Sequence, residues 1–109
     1  MNMISKIYEK TKDYKYIKEI HLSRDLDCEE GLFYSLKLVL SEYPYTYEDF
    51  TILFEDIQDI QLSDLNNCFA IGIKIEDISS YNLEGIHFKV EEVGEELFSF
   101  SCRNIEIIE

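Results

Sequence analysis

The sequence predicts a mainly β protein, a single antiparallel β-sandwich or partly open barrel of five to seven short strands, together with a short N-terminal helix. Apolar and polar residues alternate over most of the chain from about residue 35 onward, and only brief turn-like segments separate the alternating stretches. Parallel strands would need long crossover connections, so the short connections favour antiparallel pairing. The 109 residues have the length of one domain and contain no linker or repeat, which predicts a single domain over 1–109.

The N-terminal part has a different pattern. Four side chains recur at helical spacing within the first dozen residues, namely Ile4, Ile7, Tyr8 and Thr11. We expect a short helix there, with lysines on its other side. Three further apolar residues either continue this helix or form a first strand: Ile17, Ile20 and Leu22. The polar stretch that follows, 23–31, is typical of a loop.

From about residue 35 the inward-facing residues of successive strands can be named in chain order. They are Leu36, Leu38 and Leu40; Phe50, Ile52 and Phe54; Ile60 and Leu62; Phe69, Ile71, Ile73 and Ile75; Ile86, Phe88 and Val90; Phe98, Phe100 and Cys102; and Ile105 and Ile107. A bulge or turn is expected after Asp56, where the alternation is interrupted. The outward positions include Glu55, Glu76, Glu91 and Ser99, so the pattern predicts an apolar face and an acidic face.

The negative charge is unevenly distributed along the chain. Residues 1–37 contain seven Lys or Arg and seven Asp or Glu, whereas residues 38–109 contain three against sixteen. The net charge of −13 therefore arises entirely in the second part. Contacts with phosphate groups require cations, so we expect neither nucleic acid nor an anionic membrane as a partner. A charged partner is expected to be a basic protein.

The sequence lacks the residue patterns of most catalytic, metal-binding and nucleotide-binding sites. The three cysteines are widely spaced, which argues against disulfides and zinc and favours a cytoplasmic location. The acidic segment 25–31 fails the calcium-loop pattern, and the four isolated glycines form no phosphate-binding loop. Adjacent strand residues point to opposite faces, so neighbouring carboxylates such as Glu91 and Glu92 do not form catalytic dyads. They are interpreted as solvated strand ends and turns. We therefore predict no catalytic residues, no metal and no cofactor.

The segment 43–49 has the most unusual composition. Three tyrosines at alternate positions stand beside two carboxylates, a combination that is common where proteins contact proteins, although such rings can also simply cover the edge of a core. With two aspartates further along the chain, they give the predicted binding residues: Tyr43, Tyr45, Tyr47, Glu48, Asp49, Asp56 and Asp59.

The strand patterns at 53–62, 65–78, 84–90, 98–102 and 105–107 resemble those of small, acidic, all-β bacterial proteins. Some proteins of this kind are immunity proteins of polymorphic toxin systems. The resemblance covers about the last two thirds of the chain and implies a fold more than an activity. It supplies no functional residues.

These observations favour a non-enzymatic acidic binding protein, an immunity protein that neutralises a basic toxin such as a nuclease. One alternative is a small enzyme or ligand-binding barrel with a pocket near His87 and Cys102. Another is a structural subunit that self-associates through an exposed strand. A surface that is acidic only for solubility is the simplest explanation of the charge.

Overall fold

The computed structural model of the chain describes residues 3–24, 33–42, 48–64, 70–81 and 86–108. One helix and seven strands are present in these ranges. They are α1 (Met3–Lys10), β1 (Tyr16–Ser23), β2 (Tyr34–Ser41), β3 (Asp49–Leu62), β4 (Ile73–Asp77), β5 (Phe88–Glu92), β6 (Phe98–Cys102) and β7 (Asn104–Ile108), with a 3₁₀ turn at Ser79–Tyr81. The predicted mainly β architecture with a short N-terminal helix is confirmed. The apolar residues after the helix form a strand rather than a continuation of α1.

All seven strands pair antiparallel in one sheet that is not closed, in the order β1-β2-β3-β6-β5-β4, with β7 also on β3. The first half of β3 lies between β2 and β7, and its second half pairs with β6. β6 and β7 are separated only by Arg103, whose backbone N–H donates to the carbonyl of Glu55 at 2.9 Å. Together, β6 and β7 therefore follow one edge of β3 almost without interruption.

Two bulges bend β3. The pairing register shifts by one residue near Asp56 and again near Asp59, and both residues have left-handed backbone angles, with φ of 56° and 55°. Asp tolerates this conformation better than most residues, and an extra residue in one strand increases its bend and twist. The interruption expected after Asp56 is thus a bulge inside one long strand. The bends let β3 pass from the β1-β2-β7 part of the sheet to the β6-β5-β4 part.

The core lies on the inner face of the bent sheet. The inward residues of β2, the first half of β3 and β6 are buried as predicted, and the rings of Phe54 and Phe100 meet edge to face at 5.0 Å. Helix α1 adds Ile7, which is fully buried in the same cluster. Each large side chain removed from water in this way contributes roughly 1.5–3 kcal/mol.

The helix and the segment after it also form hydrogen bonds with backbone groups at the outer edge of β4 and just before it. The Tyr8 hydroxyl donates to the carbonyl of Ile75 at 2.9 Å and accepts from its N–H at 2.8 Å, and the N–H of Ile71 donates to the carbonyl of Lys15 at 2.8 Å. β4 begins at Ile73, later than the alternation predicts, although Ile71 is buried; Phe69 lies outside the described residues. The N-terminal segment thus occupies backbone groups that a further strand would otherwise use.

The outer face of the sheet is polar, as predicted for Glu55, Glu76, Glu91 and Ser99, which are all half-buried or exposed. Lys74 lies opposite Glu91, and Lys89 lies opposite Glu76, in the β4–β5 pair. These lysines offset the charge at the middle of that face. Within the part of the chain that the structure describes, no helix has the length and apolar character needed to cross a membrane.

Candidate functional site

The predicted binding residues fall into separate places. Glu48 immediately precedes β3 and Asp49 begins it, whereas Asp56 and Asp59 lie on the two bulges. Asp56 lies seven positions after Asp49, a distance of about 23 Å along the strand. Tyr43, Tyr45 and Tyr47 lie outside the described residues. The structure therefore brings together Glu48 and Asp49, but places the other two carboxylates elsewhere.

A groove of about 360 Å³ lies where β3 begins, and we call it the β3 groove. Its lining residues are Lys10, Tyr14, Glu48, Asp49, Phe50 and Ile108. The Tyr14 hydroxyl donates to Oε2 of Glu48 at 3.3 Å, and Nζ of Lys18 lies 3.1 Å from Oδ2 of Asp49. Tyr14 and Lys18 were not predicted from the sequence, because these contacts join residues that are 34 and 31 positions apart in the chain.

Carboxylates lie close to Tyr14 at the β3 groove. Partial burial raises the pKa of the Tyr14 phenol, and the nearby carboxylates of Glu42 and Glu48 raise it further because they oppose a phenolate charge. Lys10 lies 5.6 Å from the centre of the Tyr14 ring. Glu42, Glu48 and Asp49 are all exposed. This end of the sheet therefore presents carboxylates to solvent beside a partly apolar groove.

A second groove, of about 370 Å³, lies near the connection between β5 and β6. Its lining residues are Gln61, Ser63, Lys89, Glu91, Glu92, Glu96, Phe98 and Ser99. Nζ of Lys89 lies 3.3 Å from Oε1 of Glu91, so part of its charge is already compensated. This groove is lined mainly by polar side chains and none of the predicted binding residues contributes to it.

The expectation that Glu92 is a solvated strand end is wrong. Its side chain is 2 % exposed and its carboxylate accepts four backbone hydrogen bonds. Oε2 accepts from Gly72 at 2.9 Å and Gly94 at 2.7 Å, and Oε1 accepts from Glu95 at 2.7 Å and Leu97 at 3.2 Å. Burial alone would raise the pKa of Glu92, but these donors outweigh it and hold the pKa below its ordinary value. The carboxylate is a structural anchor for the connection between β5 and β6.

His87 and Cys102 do not form a reactive pair among the described side chains. The backbone N–H of His87 donates to the carbonyl of Cys102 at 3.0 Å, but the Cys102 side chain is fully buried on the inner face whereas His87 is exposed. Burial raises the pKa of the Cys102 thiol to about 12, so the thiolate that would act as a nucleophile is scarce at neutral pH. Neither residue lines either groove.

The described ranges also contain no group of three or more His, Cys, Asp or Glu side chains arranged to hold a metal ion. The described residues do include exposed carboxylates around the β3 groove and a turn anchored by Glu92.

Comparison with protein families matches residues 1–108 to the family described as Immunity protein PIM8. The chain belongs to this family. Because the match covers nearly the whole chain, it supports an immunity function and, with it, binding to a toxin partner. The resemblance to immunity proteins inferred from the strand patterns is confirmed, and PIM8 membership favours a non-enzymatic role. No curated protein and no solved structure gave a match.

Proposed function

We propose that this PIM8 protein neutralises its toxin without catalysis, by binding a basic surface of the toxin. The observation that carries the proposal is the charge of −13, of which the entire surplus arises after residue 37. A toxin that acts on nucleic acid needs a cationic surface to hold phosphates. An acidic protein that covers this surface would exclude the substrate.

The β3 groove and its surroundings are the best supported location for this contact. Glu42, Glu48 and Asp49 are exposed there, and Glu42 and Glu48 add to the rise in the pKa of Tyr14 that burial causes. The chain between Glu42 and Glu48 contains Tyr43, Tyr45 and Tyr47. Tyrosine gives large contact area at a low cost in side-chain entropy, so we include these three residues in the proposed contact.

We include Asp56 and Asp59 in the proposed contact because of their negative charge. Asp56 is half-buried and lies 3.9 Å from Arg103, and Asp59 is exposed on the second bulge. Because they are distant from Asp49, we assign them to the periphery of a contact centred on the β3 groove. Peripheral charges mainly affect the rate of association and its dependence on salt.

The proposal is tested with an inactive form of the toxin domain against which this chain protects cells when the two are expressed together. The double variant Glu42→Gln, Glu48→Gln should raise the dissociation constant at low salt by roughly two- to thirtyfold, since each exposed ion pair contributes about 0.2–1 kcal/mol. The difference should shrink at high salt, where exposed charges are screened.

A matched control removes two charges elsewhere. Glu76 and Glu95 are exposed in the β4 to β6 part of the sheet, and Glu76→Gln, Glu95→Gln makes the same change in net charge. We expect this control to bind the toxin within about twofold of the unmodified protein. Equal weakening by both double variants would show that net charge matters and that the β3 groove does not.

A further inference from the structure

A second surface lies at the far end of β1 and β2, away from the β3 groove. Leu22, Phe33 and Tyr34 are exposed there by 41 %, 43 % and 39 %, and with Arg24 we call them the tip patch. They are three of the seven large apolar side chains that are exposed among the described residues. Single exposed apolar residues are ordinary, but a group of them at one place marks an interaction site.

The tip patch continues the inner face of the sheet into solvent. Leu22 lies opposite Leu36 in the β1–β2 pair, and Tyr34 lies opposite Ile57 in the β2–β3 pair. Both of these partners are buried in the core. Because paired residues share a face, the apolar surface extends from the core to Leu22 and Tyr34 without a polar boundary.

Arg24 holds the exposed ring of Tyr34. The guanidinium carbon lies 4.9 Å from the ring centroid, within the range of a cation–π contact. This contact restricts both side chains before any partner arrives, so that less conformational freedom is lost on binding. Tyrosine and arginine are also the residue types most enriched among those that dominate protein–protein affinity.

The sequence around the tip patch indicates the chemistry of its partner. The residues that join Arg24 to Phe33 include four carboxylates and no cation, namely Asp25, Asp27, Glu29 and Glu30. An apolar site followed in the sequence by this much negative charge suits a protein surface in which an apolar group is accompanied by Lys or Arg. It does not suit a hydrophobic surface rich in carboxylates, such as another copy of this acidic chain.

We propose that the tip patch is a second contact for the toxin and receives an apolar side chain of it, flanked by basic residues. This inference rests on the proposed function only in taking the same toxin as the partner. The tip patch and the β3 groove are about 23 Å apart along β2, and a standard interface of about 800 Å² on each partner is roughly 30 Å across. One toxin domain is therefore large enough to reach both.

The test compares Tyr34→Ala and Leu22→Ser with Val93→Ser, in which an apolar residue of similar exposure is removed elsewhere. Binding is measured with the same inactive toxin domain at about 50 mM and about 500 mM NaCl. We expect Tyr34→Ala to weaken binding by about tenfold or more, chiefly through faster dissociation and by a similar factor at both salt concentrations. Val93→Ser should bind within about twofold of the unmodified protein.

The two proposals fail in different ways. If the unmodified protein binds the toxin with a steep salt dependence while Tyr34→Ala and Leu22→Ser bind equally well, the tip patch is not a contact and the basic-surface proposal stands. If binding is independent of salt but is lost in the tip variants, the tip patch is a contact and the toxin surface is not basic. Circular dichroism and thermal unfolding of each variant show that any loss of binding is not a loss of fold.

Discussion

Replacement of Glu92 by Gln should destabilise the protein more than its single-atom difference suggests. The buried carboxylate accepts two backbone N–H groups on each oxygen. A glutamine side chain keeps one acceptor oxygen and presents an NH₂ group to the other two donors, so two hydrogen bonds are lost and two buried N–H groups lack an acceptor. At about 1.5–3 kcal/mol for each hydrogen bond to a charged group, the expected loss is about 3–6 kcal/mol. The free energy of unfolding of an ordinary domain is roughly 5–15 kcal/mol, so this loss is a large part of it.

Urea unfolding followed by circular dichroism measures this loss, and the melting temperature should fall by about 12 °C or more. The matched control is Glu91→Gln, the same change at the adjacent residue, which faces outward and loses a contact with Lys89. An exposed ion pair of this kind contributes at most about 1 kcal/mol. If Glu92→Gln and Glu91→Gln lose equal stability, the carboxylate is not the anchor that its hydrogen bonds indicate.

The pH dependence of stability gives a second readout of Glu92. Because the pKa of Glu92 is lower in the folded state than in the unfolded chain, its contribution is complete above the unfolded value of about 4.3 and is lost as the pH falls through the folded value. The unmodified protein should therefore lose stability below about pH 4 more steeply than Glu92→Gln, which has no proton to bind at this position. Parallel curves for the two proteins would contradict the lowered pKa.

Three further experiments test other parts of the fold. Tyr8→Phe removes the hydroxyl that bonds both backbone groups of Ile75, so it should cost about 1–3 kcal/mol in urea unfolding and speed hydrogen exchange of the Ile75 amide; unchanged exchange would refute the role of Tyr8. Cys102, buried and with its thiol pKa raised to about 12, should resist iodoacetamide at pH 8 until the protein is unfolded, as peptide mass spectrometry can show; rapid native labelling would contradict its burial. Asp59→Gly should change stability by less than about 1 kcal/mol because φ is 55°, whereas Asp59→Val should cost about 1–2 kcal/mol more; equal denaturation midpoints would argue against the left-handed bulge.

The alternation of apolar residues was sufficient to predict much of the fold. Leu38, Ile52 and Phe100 were each assigned to the inner face from the sequence, and each is buried. Strand order could not be obtained in this way, because the pairing of β3 with β2, β6 and β7 depends on contacts between distant parts of the chain. The length of β3 was also hidden, since bulges at Asp56 and Asp59 shift the alternation in the middle of a continuous strand.

The candidate site was less accessible to sequence reasoning than the core. The register of β5 places Glu92 on the inner face with Val90, but its charge led to the opposite expectation because four backbone donors cannot be foreseen from local sequence. Glu48 and Asp49 were identified from composition, whereas their contacts with Tyr14 and Lys18 depend on the folding of β1 beside β2. The tip patch was missed because Leu22 and Tyr34 continue patterns that elsewhere lead into the core.

The rate of association between this PIM8 protein and the inactive form of its toxin domain tests the central claim most directly. If the acidic surface guides the protein to a basic surface, the association rate constant should fall by about tenfold or more between about 20 mM and about 500 mM NaCl, while the dissociation rate constant changes much less. An association rate constant that stays the same over this range would contradict an electrostatic mechanism of neutralisation.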